Sequence, residues 1–342
     1  MLKIIAIGDV HFKCSNIPEV DLFIYKITEL VKEKKPDIIV IMGDVLDTHE
    51  RIHTIPLNKA YEFIDNMRIH TKVYILVGNH DMCSNQEFLT ENHWMNGLKK
   101  WNNVTIVDTV LDVEVEGLKF IFCPYVSNGR FEEALNTNDF YINNKNDINI
   151  IFAHQEFRGC KMGAIDSIDG DIWNILSPHV VSGHIHSKQS PQSNIYYTGS
   201  AMQHAFGESE NNTIPLFTYT GVNTLPNGKY ILEELDLQLP KKYIIYMDVE
   251  DLNNYVYVKS ENKIRITLSG LFEQFKAIKK TQKYKDLITV CGVKINFNQR
   301  KIINTDIDIE ITKLNSFNEI LSDLIKKQND LYLTEIYNII SK

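Results

Sequence analysis

The stretch Val73–Asp81, which reads VYILVGNHD, indicates the fold class of this chain. A run of five apolar residues leads directly into Gly78, and Asn79, His80 and Asp81 follow at once. A short apolar run of this kind is typical of a buried strand, so the polar residues lie at its carboxyl end. The same order recurs at three other predicted strands, Lys3–Ile7, Asp37–Met42 and Val180–Ser182, and a fifth, Ile148–Ala153, leads directly into His154 without a glycine.

Helical patterns separate these strands. Apolar residues at helical spacing predict amphipathic helices at Val20–Glu33, Leu57–Met67 and Gln86–Lys100. Strands that alternate with helices imply a layered α/β core. The remaining patterns predict a hairpin of Val113–Val115 with Lys119–Phe122, a surface loop at Asn136–Asn149, and strands at Ile195–Thr198, Leu216–Tyr219 and Tyr230–Leu237.

The pattern changes near Leu239-Pro240, which predicts a second and smaller unit. We expect a main domain at residues 1–238, an α+β domain at 239–314 and a helical tail at 315–342. The predicted elements of the last two parts are strands Tyr243–Val249, Tyr255–Val258, Lys263–Leu268 and Asp306–Ile311, a helix at Leu271–Tyr284 and a terminal helix at Phe317–Ile340.

Composition limits the class of protein. The chain has 342 residues, of which 44% are hydrophobic and 23% charged, an ordinary balance for a globular protein. Its five cysteines are odd in number and form no Cys-x-x-Cys, which argues against a disulfide framework or a zinc ribbon. No apolar run has the length of a membrane span or a secretory signal. We therefore expect a protein that is not secreted and that resides in a cytosol-like compartment.

The net charge of −8 mildly disfavours a nucleic-acid partner, but the charge is unevenly spread. Residues 241–342 carry 17 Lys and Arg against 13 Asp and Glu, so the acidic excess lies in the first part of the chain. That part contains the strand-end motifs. Bound cations would offset some of the carboxylate charge there.

The side chains that follow the five strands form a set with the chemistry of a metal site. In an open α/β sheet, ligands bind outside the carboxyl ends of the strands, so these side chains converge in one crevice. A mixture of carboxylate or amide oxygen and imidazole nitrogen suits manganese, iron or zinc better than magnesium or calcium. The candidate ligands are Asp9, His11, Asp44, Asn79, His154, His184 and His186.

The spacing of these residues suggests two ions. Histidines two positions apart at a strand end project to different sides, so His184 and His186 would serve different ions. Asp44 is the predicted bridge, because one carboxylate has two oxygens. Two ions would hold a phosphodiester, activate water for attack and stabilise charge on the phosphorus oxygens.

Catalysis also needs a group at the leaving oxygen. His80 is the candidate, because a protonated imidazole beside the metal site could donate a proton there. Asp81 could orient His80 and raise its pKa. The alternative for Asp81 is a carboxylate that caps its own loop. For the other histidines we favour surface or core roles over ligation; these are His49, His53, His70, His93 and His179.

Taken together, the five motifs resemble those of the calcineurin-like metallophosphoesterases. The resemblance implies a four-layer α/β/β/α sandwich of two sheets between helices. It places one metal on Asp9, His11, Asp44 and His186, and the other on Asp44, Asn79, His154 and His184. One departure is Ala153, where members of the family often have glycine.

A narrower resemblance rests on two later motifs. Tyr196–Ser200 and Phe206–Glu208 are similar to motifs of SbcD-type, meiotic recombination 11-like nucleases and of the small subunit of phage recombination exonucleases. Asp47 follows the bacterial and phage pattern, whereas many cellular members have histidine at this position. The resemblance implies a manganese-dependent exonuclease and endonuclease on DNA ends, active in repair, recombination or replication, in which residues 239–314 cap the DNA.

The same resemblance implies partners. It suggests a homodimer that uses the predicted helices Leu57–Met67 and Gln86–Lys100, and a complex with an SMC-like (SbcC-type) ATPase. Phe317–Ile340 would either dock the ATPase or complete the second domain as a plain helix. Such a complex would be cytoplasmic or nucleoid-associated, in the host cytoplasm if the source is viral.

Direct DNA contacts are less well indicated. Lysines that crowd one predicted helical stretch could neutralise phosphates, although a solvated helix face explains them equally well. These lysines are Lys276, Lys279, Lys280 and Lys283. Two other functions would share the metal motifs: a phosphodiesterase or phosphatase for a small molecule or nucleotide, and a non-catalytic scaffold. The metal site could also take Mg²⁺, Fe²⁺ or Zn²⁺ in place of Mn²⁺.

Overall fold

A computed structural model describes residues 1–49, 51–220 and 230–300, together with Leu321, Leu324, Ile325, Leu333 and Tyr337. The strands are β1 (Leu2–Ile7), β2 (Ile38–Ile41), β3 (Lys72–Leu76), β4 (Val104–Val107), β5 (Leu111–Val115), β6 (Leu118–Cys123), β7 (Ile150–Ala153), β8 (Lys161–Met162), β9 (Ile165–Asp166), β10 (Val180–Ser182), β11 (Gln189–Gln192), β12 (Ile195–Tyr197), β13 (Ile214–Tyr219), β14 (Ile231–Leu235), β15 (Lys242–Asp248), β16 (Lys263–Gly270) and β17 (Lys294–Gln299). The α-helices are α1 (Ile17–Lys34), α2 (Thr54–Arg68), α3 (Phe131–Leu135), α4 (Asp139–Asn144), α5 (Phe272–Ile278) and α6 (Gln282–Thr289).

Two six-stranded sheets form the main body. The first has the order β14-β13-β1-β2-β3-β4 and the second β11-β12-β10-β7-β6-β5. Strands β1 to β4 are parallel to one another, as are β6, β7, β10 and β12. Within each parallel set, the carboxyl ends lie at one edge of the sheet, which is where the predicted ligands follow.

Successive side chains of a strand point to opposite faces of the sheet, and each face packs in a different layer. In β1, Ile4 and Ala6 face a core shared with Phe122 and Phe152 of the second sheet, whereas Ile5 and Ile7 pack in a different core with α1 and α2. A third core joins the outer face of the second sheet to α3 and α4. The order is thus helices, sheet, sheet, helices, and the predicted four-layer α/β/β/α architecture is confirmed.

One predicted helix of the main body is wrong. Within Gln86–Lys100 only Trp94–Lys100 is helical, and it is a 3₁₀ helix. The side chain of Thr90 accepts a hydrogen bond from the backbone of Asn92 at 3.0 Å. Local bonds of this type satisfy the backbone without a helix. The predicted dimer helix at this position is therefore replaced by a loop and a short 3₁₀ turn.

Three smaller predictions also differ from the structure. The predicted loop Asn136–Asn149 contains α4, because the side chain of Asn138 caps it by accepting from the backbone N–H of Tyr141 at 2.8 Å. The predicted helix Leu271–Tyr284 is split into α5 and α6, since Thr281 caps the start of α6. The predicted strand Tyr255–Val258 has no regular structure.

A third sheet, β15-β16-β17, begins at Lys242 and is parallel. It has a separate core with α5 and α6, formed by Val249, Leu252, Ile266, Leu268, Phe275, Ile278, Leu287 and Val293. The predicted strand Asp306–Ile311 and most of the predicted terminal helix lie outside the described residues. Among the residues that are described, no helix is long and apolar enough to cross a membrane.

Candidate metal centre

The strand ends bring the seven predicted ligands into contact. Hydrogen-bond and ion-pair distances connect all of them, although they come from five strands of two sheets. Three groups of side chains in this cluster each place ligand atoms within 4.8 Å of one another, namely Asp9 with His11 and His186, His11 with Asp44 and His80, and Asp44 with His154 and His184.

One side of the cluster is centred on Asn79. Its Oδ1 lies 3.1 Å from Nε2 of His154 and 2.8 Å from Nδ1 of His184. His154 Nε2 also lies 3.4 Å from Oδ2 of Asp44. The other nitrogen of His154, Nδ1, donates to the backbone oxygen of Met42 at 2.6 Å. That bond directs Nε2 toward the cluster and fixes the ring.

The other side contains His11, His186 and Asp9. Nε2 of His11 lies 3.0 Å from Nε2 of His186 and 3.5 Å from Oδ2 of Asp44. Asp9 is fully buried, and its Oδ1 accepts from the backbone N–H of His184 at 2.9 Å. Its Oδ2 is buried without a hydrogen-bond partner in the described structure.

Asp44 stands between the two sides, but it differs from the predicted bridge in one respect. The same oxygen, Oδ2, faces both His11 and His154. Oδ1 accepts from the backbone N–H of His80 at 2.8 Å. One carboxylate oxygen, rather than two, is therefore directed at both sides of the cluster.

The backbone at the site is strained. His11, Asp44 and His184 have φ values of 41°, 49° and 76°, in the left-handed region that costs non-glycine residues energy. Gly43 also has a positive φ, of 101°. Gly78 does not; its importance is close packing, because a Cβ there would lie 2.3 Å from Oδ1 of Asp44.

His80 and Asp81 are both in the cluster, but they do not form the predicted pair. Nδ1 of His80 donates to the backbone oxygen of Asp47 at 2.9 Å. Asp81 accepts from the backbone of Gly78 at 3.1 Å, from Trp94 Nε1 at 2.8 Å and from two backbone N–H groups of the Asp44 loop. Of the two alternatives for Asp81, the orientation of His80 is not supported by these contacts, because backbone N–H groups and Trp94 take up its carboxylate. The structure favours the loop-capping alternative.

Four further residues at the site were given no role by sequence reasoning. His204 donates through Nε2 to the backbone oxygen of Asp9 at 3.0 Å, and its ring centroid lies 5.0 Å from that of His11. Three carboxylates, Glu208, Glu156 and Asp47, face the outer nitrogens of the site histidines. Glu208 had a signal in the Phe206–Glu208 motif, and Glu156 in its position two residues after His154. His49 stacks on His80 at 4.4 Å between ring centroids, so it lies beside the cluster.

The pKa values of the site residues are shifted by burial and by the charges of neighbouring site residues. Burial would raise the pKa of Asp44, but His154 reverses this and holds that pKa well below its usual range. Burial would lower the pKa of His154, yet Asp44 raises it to about 9. Burial and the charge of His186 lower the pKa of His204 to about 4. Burial and Asp44 raise the pKa of Asp81 to about 6.

The donor set fits divalent cations. When Nδ1 of His154 donates to Met42, the neutral ring turns a lone pair toward two oxygen acceptors, Asn79 Oδ1 and Asp44 Oδ2. Acceptors that crowd together in this way need a proton or a cation between them. The unpartnered Oδ2 of Asp9 has the same need on the other side. Mixed nitrogen and oxygen donors favour transition metals.

Two of the four predicted DNA-contacting lysines make side-chain contacts within the unit of the third sheet. Lys276 pairs with Glu273 and lies over the ring of Phe272, and Lys279 lies over Phe297. The structure thus connects these two lysines to their own unit. Other basic residues contact the loop that contains Phe206 and Glu208; among them, Arg265 and Lys294 both lie against the ring of Phe206.

A four-layer fold with two ligand groups around one buried carboxylate defines the class of metallophosphoesterases. Residues 2–188 match the family of the Calcineurin-like phosphoesterase, and the chain belongs to this family. Members of the family use divalent metals, and the ligand groups of this chain are consistent with that use. The chain is therefore a hydrolase of phosphoester bonds by family.

Two similar proteins are viral. "Putative phosphoesterase 078R" of Invertebrate iridescent virus 3 is 46% identical over 290 residues, which cover 84% of this chain and 82% of that protein. "Putative phosphoesterase 244L" of Invertebrate iridescent virus 6 is 47% identical over 284 residues, 82% of this chain and 98% of that protein. A solved structure titled as GAP50, the anchor in the inner membrane complex of Plasmodium, is 13% identical with a TM-score of 0.42, covering 69% of this chain and 85% of that one. Its likeness is too distant to bear on function.

Proposed function

We propose that this chain is a two-metal phosphodiesterase whose substrate is DNA, cut at or near its ends with Mn²⁺ as the working ion. The observation that carries the proposal is the position of Asp44, whose Oδ2 faces one ligand group through His11 and the other through His154. The two ligand groups could each hold a cation, and a pair of cations there would supply Lewis-acid activation of water and neutralise charge on phosphorus oxygens.

The chain's own residues supply the remaining chemistry. Asn79 and the four predicted ligand histidines would hold the ions, and their placement would set where the phosphodiester lies; the histidines are His11, His154, His184 and His186. His80 has its Nδ1 occupied by the backbone oxygen of Asp47, which leaves Nε2 available to donate a proton to the leaving oxygen when the ring is charged. Asp81 keeps its loop in place for this step, because it accepts from both the Gly78 and the Asp44 segments.

Basic side chains beside the site support a polyanionic substrate. Arg265 lies 4.2 Å from the ring centroid of Phe206, and Lys294 lies 5.8 Å from it. Phe206 belongs to the same loop as Glu208, which contacts His186. A duplex that enters the metal site would therefore meet positive charge from the third sheet, and its binding should weaken with salt.

A nuclease assay tests the substrate. The purified chain is incubated with end-labelled linear duplex DNA, with Mn²⁺ or Mg²⁺, and in parallel with bis-p-nitrophenyl phosphate. We expect Mn²⁺-dependent shortening from the labelled ends, abolished in His11→Ala and retained in His70→Ala, an exposed histidine that follows α2. Cleavage of the small diester with no cleavage of DNA would instead support a small-molecule phosphodiesterase. Absence of bound cation and of both activities would support a scaffold.

The partners form part of the same proposal. A homodimer would use the start of α2, where Ile55 is 58% exposed and Ile52, two residues before the helix, is 43% exposed. Sedimentation velocity should show a dimer that Ile55→Asp disrupts and Ile69→Asp, at the other end of the helix, does not. A monomeric wild-type chain would reject the proposed dimer. Co-purification with an SMC-like ATPase, when both chains are expressed together, tests the second partner.

A further inference from the structure

The nitrogen of His186 that faces away from the ligand cluster is directed at a carboxylate. His186 places Nε2 toward His11 and Nδ1 at 3.4 Å from Oε1 of Glu208. Glu208 itself is held in place, because its Oε2 accepts from the backbone N–H groups of His204 and Ala205 at 2.8 and 2.9 Å. The carboxylate is therefore fixed by the backbone before it meets the ring.

His184 has a similar arrangement on the other side of the cluster. Its Nδ1 is directed at Asn79, and its Nε2 lies 3.9 Å from Oε2 of Glu156. Glu156 accepts from Nδ2 of Asn128 at 3.2 Å and from the hydroxyl of Ser167. These two bonds come from side chains of separate loops, so this carboxylate is also oriented independently of the histidine.

We propose that Glu208 and Glu156 are positioning residues, each for one of the two cations: Glu208 acts through His186 and Glu156 acts through His184. The inference rests on the proposed two-metal function and divides its site into two separately supported halves. A carboxylate that pairs with the outer nitrogen of a ligating histidine, at hydrogen-bond distance for Glu208 and at ion-pair distance for Glu156, orients the ring and makes the inner nitrogen a better ligand. Neither glutamate touches the substrate in this role.

The two supports differ in what anchors them. Glu208 lies in a loop that is tied to the third sheet, because Gln203 Oε1 accepts from the backbone N–H of Lys242 at 2.6 Å and Phe206 packs under Arg265. Glu156 is anchored within the main body by Asn128 and Ser167. A substitution that disturbs the third sheet should therefore weaken cation binding at His186 more than at His184.

Mn²⁺ binding in two single-site backgrounds tests the assignment. Asn79→Ala removes a ligand next to His184, and His11→Ala removes one next to His186. In the Asn79→Ala background, calorimetric titration should show that Glu208→Gln lowers Mn²⁺ affinity about 10- to 100-fold, the usual effect of losing such an outer partner, and that Glu156→Gln does not. In the His11→Ala background the two effects should exchange.

Metal-free protein supplies a second readout and a control. Nitrogen-15 NMR of the histidine side chains should report a change at His186 in Glu208→Gln and at His184 in Glu156→Gln. Glu234→Gln is the matched control, because Glu234 is also partly buried and bonded to hydroxyls, those of Tyr196 and Thr213. Glu208→Asp, which keeps the charge, tests the same contact should the glutamine variant fail to fold.

The outcomes separate this inference from the function on which it rests. Equal loss of affinity in both backgrounds, or no loss in either, would overturn the assignment of Glu208 and Glu156. A wild-type chain that binds two Mn²⁺ ions in that case would still support the proposed function. A wild-type chain that binds no divalent cation would reject the proposed function itself.

Discussion

A methyl group at Gly78 should disable the metal centre without unfolding the protein. The Cβ of an alanine there would lie 2.3 Å from Oδ1 of Asp44, 2.5 Å from its backbone nitrogen and 3.0 Å from its Cγ, whereas ordinary contacts are 3.4–4 Å. The crowded atoms include backbone, so Asp44 must move as a whole by about 1 Å. A misplacement of that size typically costs about 100-fold in rate, and overpacking a core costs about 1–3 kcal/mol of stability.

Three measurements on Gly78→Ala check this reasoning: Mn²⁺ titration, hydrolysis of bis-p-nitrophenyl phosphate, and urea unfolding of the metal-free chain. We expect weaker Mn²⁺ binding, a rate lower by about two orders of magnitude and a modest loss of stability. Gly97→Ala is the control, since a Cβ there meets nothing within 4 Å. A Gly78→Ala variant with wild-type Mn²⁺ affinity and rate would refute the claim that the Gly78–Asp44 contact sets the position of the shared carboxylate.

Three further perturbations have expected outcomes. Asp44→Asn should lower the affinity for both cations, which metal analysis after dialysis would show; a full complement of two would contradict a shared carboxylate. His80→Asn should keep both ions and lose about 100-fold or more in turnover, and loss of an ion would make His80 a ligand instead. Burial would raise the pKa of Asp108, but hydrogen bonds from His93 and Lys99 lower it, so its contribution to stability is present above about pH 4 and is lost as the pH falls through the lowered value. Urea unfolding of Asp108→Asn between pH 3 and 6 should therefore approach wild type only at the acidic end.

The strand ends could be predicted from sequence because their signals are local. An apolar run that ends in glycine and then a ligand is contained within nine residues, as in Val73–Asp81. The direction of the ligands follows from the parallel sheet, in which the carboxyl ends share an edge. The structure adds that the same oxygen of Asp44 faces both ligand groups, because the backbone N–H of His80 occupies the other oxygen. That bond joins residues 36 positions apart, and no local pattern encodes it.

Each of the predictions that failed has its own physical reason. Apolar spacing predicted a helix at Gln86–Lys100, but short polar side chains such as Thr90 bond to the nearby backbone and compete with helix hydrogen bonds. The outer carboxylates were missed because Glu208 meets His186 through a contact that spans 22 positions, which no local pattern encodes. A carboxylate that caps a loop and one that orients a histidine look the same in sequence, which is why the role of Asp81 stayed open.

The contacts of Asp81 and Asp44 hold the loop after β2 and the loop after β3 together. Asp81 accepts from the backbone of both the Gly78 and the Asp44 segments, while Asp44 accepts from the backbone of His80. The proposed proton donor and the shared carboxylate therefore cannot shift independently. Because the pKa of Asp81 is raised by burial and by Asp44, the two loops hold two neighbouring carboxyl groups whose repulsion is relieved by a proton or by cations. Cation binding should consequently stiffen both loops together, so that orientation of His80 depends on the ions even though its side chain is not among the proposed ligands.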